Sequence, residues 1–72
     1  MNIVKETPNV KPFGRYNYRE ASAALGVHPN TIRNWVRRGI FRANEKATRT
    51  IGGVIYNYVT GAGILRIYNI KS

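Results

Sequence analysis

Cysteine and aspartate are both missing from this 72-residue chain. Without cysteine, neither a disulfide nor a thiolate metal site can staple a small fold. A lone histidine, His28, leaves no histidine cluster for zinc. The whole acidic complement is three glutamates, Glu6, Glu20 and Glu45. Paired-carboxylate catalysis would need two of these to converge, and Glu6 lies in a loose terminal stretch. No nucleophile has an obvious base, and no glycine-rich loop sits between a strand and a helix. The residues therefore predict a protein that is not an enzyme, with no catalytic residues, no metal, no cofactor and no small-molecule ligand. No run approaches the ~20 apolar residues of a membrane span, and the start, MNIVKETPNV, lacks the apolar core of a secretory leader. A cytoplasmic location and no membrane partner are expected.

What the chain does have is positive charge. Twelve lysines and arginines against three glutamates give a formal net charge of +9. Such an excess favours a polyanion through counterion release, nucleic acid before an anionic membrane. One small domain is expected, because a chain of this length buries only ~60% of its unfolded surface. Five tyrosines, two phenylalanines and Trp35 supply much of the area available to a core.

Residues 1–14 contain Pro8, Pro12, Gly14, Lys5 and Lys11 without sustained periodicity, and read as a flexible, basic N-terminal arm ahead of a domain at 15–72. Tyr16 forms a one-residue bridge into the first helix, over roughly residues 18–25. Asn17 can cap it, Glu20 completes a capping-box pair, and Gly26 can end it in a left-handed conformation. Ala21, Ala24 and Leu25 recur at helical spacing. A second helix starts almost at once, with His28 as cap, Pro29 at the first position and Gly39 at the exit. Ile32, Trp35 and Val36 fall at i, i+3 and i+4 and must face inward. Asn30, Asn34 and Arg37 then lie on the opposite side, flanked by Arg33 and Arg38.

The stretch EKATRTIGGVIYNYV places Gly52-Gly53 between two segments rich in β-branched and aromatic residues, a two-residue hairpin signal. Ile51 then opposes Val54, Arg49 opposes Tyr56 and Ala47 opposes Tyr58. That mostly apolar face is expected to close over the helices, with Lys46, Thr48, Thr50 and Asn57 on the other. In the tail, Thr60 can cap a last helix whose Ile64, Ile67 and Tyr68 share a face. The alternative takes TGAG as a turn and ILRIYNI as a third strand. The helix is preferred, although Gly61 and Gly63 each cost ~1 kcal/mol against alanine in a helix interior.

A short alanine-lined helix, a tight turn and a second helix with a polar outer face compose a helix-turn-helix, whose second helix enters the DNA major groove while the first crosses near the backbone. Asparagine matches adenine and arginine matches guanine in bidentate fashion. Asn30, Asn34 and Arg37 form a reading edge. No acidic residue lies between Arg33 and Arg42, where an ordinary surface helix would mix glutamate with arginine for i,i+4 pairs.

The stretch YNYREASAALGVHPNTIRNWVRRGIF, followed by a Gly-Gly hairpin, resembles the winged-helix, MerR-like DNA-binding domain of excisionases and related small regulators. The likeness covers about residues 16 to 60: an entry aromatic, a first helix REAS-ALGV, a recognition helix TIRNWVRRG, and a wing. It departs at VIYNYV, where the family commonly has an arginine-rich strand, and at TGAG, where a polar or acidic turn is usual. The resemblance implies an α+β winged helix-turn-helix with a recognition helix in the major groove. Asn30, Thr31, Arg33, Asn34, Arg37 and Arg38 would be its contacts. Lys46, Arg49 and the Gly52-Gly53 tip would form the wing, with Arg15 and Arg19 on the DNA backbone. Excisionases of this kind bind side by side on attachment-site DNA, bend it, and bias a recombinase towards excision. The implied partners are double-stranded DNA, a site-specific recombinase and further copies of the chain.

Two other readings stay open. One is a MerR-like transcriptional regulator lacking the long dimerisation helix and sensor region, for which 72 residues leave no room. The other is an RNA- or single-strand-binding module that uses Tyr56, Tyr58 and Tyr68 as stacking platforms. A docking role for the exposed tyrosines and ILRIYNI on a recombinase or a sister copy is compatible with DNA binding.

Overall fold

The structure, a computed structural model, describes residues 8–71. Along the chain lie strand β1 (Arg15–Asn17), helices α1 (Tyr18–Leu25) and α2 (Pro29–Arg37), a single 3-10 turn (Ala43–Glu45), strands β2 (Lys46–Ile51) and β3 (Val54–Thr60), and helix α3 (Gly61–Lys71). The strands form one antiparallel sheet in the order β1-β3-β2. The result is a small α+β fold of three helices and a three-stranded antiparallel sheet.

Local chemistry sets the helix boundaries. The Asn17 side chain accepts from the Glu20 N–H at 2.7 Å, and the Glu20 carboxylate accepts from the Asn17 N–H at 3.0 Å. This reciprocal pair satisfies two otherwise orphaned donors at the start of α1. Gly26 ends α1 at φ 72°, where a side chain would clash with the backbone. His28 then caps α2, its Nδ1 accepting from the Asn30 N–H at 3.0 Å, and Pro29 occupies the first turn. Two helices are thus joined by the three residues Gly26 to His28, which fixes their mutual orientation.

The hairpin has the expected register, Ile51 opposite Val54, Arg49 opposite Tyr56 and Ala47 opposite Tyr58. Gly52 and Gly53 have φ of 58° and 81°, the pair of positive angles that a type I′ turn needs. The face that enters the core differs from expectation. Val59 is fully buried, and it lies on the pleat opposite to Ala47, Tyr56 and Tyr58. The apolar residues nearer the tip, Ile51, Val54, Ile55 and Tyr56, are exposed on both faces. The reason is length: β3 is bonded to β1 only at Tyr58–Thr60, so the hairpin projects beyond the helices that would cover it.

Tyr16, expected as a one-residue bridge, is the middle of a true third strand, paired with Val59. Of the expected N-terminal arm, residues 1–7 lie outside the described residues. Residues 11–14 are held by hydrogen bonds. Gly14 N–H bonds to Lys11 O at 2.9 Å, Gly61 N–H to Gly14 O at 3.0 Å, and Ala62 N–H to Pro12 O at 3.0 Å. Lys11 N–H donates to the Tyr16 hydroxyl at 2.8 Å, and Val10 packs on the core.

Those bonds also explain the tail, which is the helix and not the strand. The first N–H groups of α3 are satisfied by Gly14, Pro12 and the Thr60 hydroxyl, the last accepting from Gly63 at 3.1 Å. The two glycines that look unsuited to a helix permit close approach. A Cβ on Gly61 would collide with the Lys11 carbonyl, and one on Gly63 would come within 3.0 Å of the Phe41 ring. Ile64, Ile67 and Tyr68 then join Ala21, Leu25, Ile32, Phe41 and Val59 in the core. Replacing Gly61 with alanine should therefore destabilise the fold by about 1–3 kcal/mol through overpacking, against the helix propensity gained. Urea denaturation checks this; an unchanged or raised midpoint would contradict the packing account.

Candidate nucleic-acid interface

Helix α2 divides as its spacing predicts. Ile32 is buried, and Trp35 and Val36 are half-buried against the core. Asn30, Arg33, Asn34, Arg37 and Arg38 are exposed, while Thr31 is half-buried with its N–H bonded to His28 O at 2.9 Å. The helix thus presents amides and guanidinium groups outward from an apolar anchor.

The hairpin meets that helix across an open groove of about 430 Å³. Arg33, Val36 and Arg37 form one wall, Ile55, Tyr56 and Asn57 the other, and Tyr18 of α1 contributes as well. A polar recess of about 350 Å³ joins Asn34, Arg37 and Arg38. Arg37 borders both. Asn30 and Thr31, at the first turn of α2, line neither recess. Lys46, Arg49, Gly52 and Gly53 are exposed along the hairpin but stand outside the groove. Lys46 sits at the hairpin root opposite Val59, about 17 Å along the strand from the turn at the usual rise. Arg15 and Arg19 are exposed near the start of α1 and also lie outside it.

Sequence reasoning missed Tyr18, Ile55, Tyr56 and Asn57 as neighbours of the arginines. The register alone would have placed Ile55 and Asn57 on the pleat of Val59, because their positions differ by two. Nothing in the pattern signals that the groove lies beside the strand, since that follows from where β1 stops.

The electrostatics follow from where the acids go. Glu20 is consumed in the α1 cap. Glu45 is buried and bridged by Arg66, whose Nη2 and Nε reach its two oxygens at 2.6 and 2.8 Å. Arg66 also donates to the Ile40 carbonyl at 2.6 Å, and the Arg42 N–H donates to Glu45 at 2.8 Å. This clamp ties α3 to the segment leading from α2 to the hairpin. Among the described residues it is the one ion pair, so no described carboxylate lies within bridging distance of Arg33, Arg37 or Arg38. The Arg66 guanidinium, together with the Arg42 N–H, holds the Glu45 carboxyl below its ordinary range, against the opposing effect of burial. Burial raises the Tyr18 hydroxyl above its ordinary range, partly offset by the Arg33 charge. Tyr18 therefore enters the groove as a neutral phenol at neutral pH.

Among the three tyrosines considered for base stacking, Tyr56 is 44% exposed, Tyr58 is half-buried and Tyr68 is 8% exposed. Among the described residues no three histidine or glutamate side chains gather as a metal site, and no helix is long and apolar enough to cross a membrane. Compared with family models, curated proteins and solved structures, the chain matches none of them.

The clamp predicts how stability varies with acid. Because the folded-state value of Glu45 is lowered, its contribution is present above the unfolded glutamate pKa and is lost as pH falls through the folded one. Arg66→Ala should cost about 2–4 kcal/mol at neutral pH by leaving a buried carboxylate unpaired. The gap between wild type and Arg66→Ala should narrow at acid pH, as read from urea titrations; a gap independent of pH would refute the charge assignment.

Proposed function

We propose that the chain is a sequence-specific double-stranded DNA-binding protein of winged helix-turn-helix type, in which α2 lies in the major groove and the β2–β3 hairpin acts as the wing. The observation that carries this reading is the pairing of surfaces: Arg33 and Arg37 on the exposed face of α2 border one groove with Ile55, Tyr56 and Asn57 of the hairpin, and among the described residues no carboxylate pairs with these arginines. Asn30, Asn34 and Arg37 are the base-reading candidates, and Thr31, Arg33 and Arg38 contact bases or flanking phosphates. Arg49 and the Gly52-Gly53 tip reach the adjacent minor groove or backbone. Lys46, Arg15 and Arg19 add phosphate contacts at the edges.

In this reading the protein works in the cytoplasm and does no chemistry of its own. Its resemblance to excisionases supports a role as a directionality factor or small accessory regulator of a mobile element. Copies would bind side by side on DNA and present it to a site-specific recombinase. A MerR-like regulator without an effector domain would use the same surface at a promoter. The single-strand reading is less well supported, since Tyr68 is buried in the core and Tyr58 is half-buried, which leaves Tyr56 as the exposed member of the three.

Selection from a random duplex pool should return an ordered motif, and affinity should fall steeply with salt. On the selected duplex Arg37→Ala should cost about 1–3 kcal/mol and relax preference at one base position. Uniform weakening on all sequences would assign Arg37 to phosphate. Preference for a single strand of equal length over the duplex would overturn the proposal.

A further inference from the structure

The groove beside α2 is bounded by a strand edge that no described strand covers. The Gly61 N–H bonds to the Gly14 carbonyl, so alternate residues of β3 back from Gly61, namely Val59, Asn57 and Ile55, direct their main-chain groups to the β1 side. Val59 uses them against Tyr16. β1 ends at Asn17, opposite Tyr58, and the chain turns away into α1. The next positions on that edge are Asn57 and Ile55. Both line the groove together with Tyr56, which points to the other pleat. A groove touching both pleats runs along the edge of the strand and not over its face. Ile55 thus offers an N–H and a C=O, and Asn57 an N–H, towards a space walled by Val36, Arg33 and Arg37.

From this geometry we infer that the groove between α2 and β3 is a binding site for an extended acidic peptide segment of a partner protein, added as a short strand to the open edge at Ile55 and Asn57 with its carboxylates against Arg33 and Arg37. An extended peptide presents a donor and an acceptor from one residue on one side, which matches the pair on Ile55. A phosphate has acceptors only and would meet the Ile55 carbonyl unfavourably. Alternate side chains of an added strand point to opposite sides. One set can therefore reach the guanidinium groups while the other covers Val36 and the exposed Ile55. The volume, about 430 Å³, falls within the range of small-ligand clefts, ~300–1,000 Å³. This site stands whether or not the chain binds duplex DNA, and its test uses no DNA duplex.

The probe is a short capped peptide of alternating glutamate and valine, titrated into the isotope-labelled protein while amide hydrogen exchange is followed. Saturable slowing at the Ile55 and Asn57 amides is the expected result, with little change at Val54 and Tyr56, whose N–H groups already face β2. A peptide with lysine in place of glutamate should fail to bind. Ile55→Pro removes one groove-facing donor and leaves the β2 ladder intact, since proline is tolerated on a free strand edge. It should weaken the peptide at least tenfold. Arg33→Ala with Arg37→Ala gives a second route that does not touch the backbone and should do the same. No saturable protection in the wild type would overturn the proposal. So would equal binding of the lysine peptide, or stronger protection of these amides by a short oligothymidylate than by the acidic peptide.

Discussion

The pairing of β1 with the root of β3 is the constraint on which the molecule depends. Only Arg15, Tyr16 and Asn17 take part, against Thr60, Val59 and Tyr58. That short ladder joins the helical half of the chain to the hairpin half. Asn17 ends the strand and caps α1 in the same residue, so the direction of α1 is set where the sheet stops. Gly26 and His28 then set α2 on α1 within three residues. The position of the arginine-bearing helix relative to the hairpin follows from this sequence of tight joints. Because β1 ends early, β3 continues past it paired with β2 alone, and the groove exists in the space that a longer β1 would have filled.

The second organising feature is the placement of opposite charge. Glutamates are scarce, and the two within the described residues serve the architecture. One closes the α1 cap, and the other is buried under Arg66 to hold the segment after α2 against α3. Each acid drawn into a structural role is one fewer near α2. Exposed cations on α2 (Arg33, Arg37), at its cap (Arg38) and on the hairpin (Lys46, Arg49) are thereby left without one of these acids as a partner.

The two helices were legible because their signals are local. A cap, a box partner, a proline at the first turn and a left-handed glycine all act within four residues. Both bounds of α1 and the start of α2 coincide with one of them, while α2 ends at Arg37 with Arg38 as its cap, one residue before the left-handed Gly39. The hairpin register was legible for the same reason, since a two-residue turn fixes every pair after it. What was not legible depends on contacts between distant residues. Tyr16 has no strand pattern of its own and becomes a strand only by meeting Val59. The apolar side of the hairpin looked like core because alternation cannot say how far the helices reach. Gly61 and Gly63 argued against a helix on propensity, yet the reason for them is the 11–14 turn and Phe41, far away in sequence. Within the candidate site, the arginines of α2 were identifiable from charge and periodicity. Their β3 neighbours were not, because the groove is defined by the end of another strand.

If α2 and the hairpin act together, both must respond to the same molecule. An amide-by-amide nuclear magnetic resonance titration of the labelled chain with a selected duplex tests this most directly. Simultaneous changes are expected in the α2 amides from Asn30 to Arg38 and at Gly52 and Gly53, with α3 left undisturbed. Changes centred on α3, or on the hairpin with α2 silent, would contradict it.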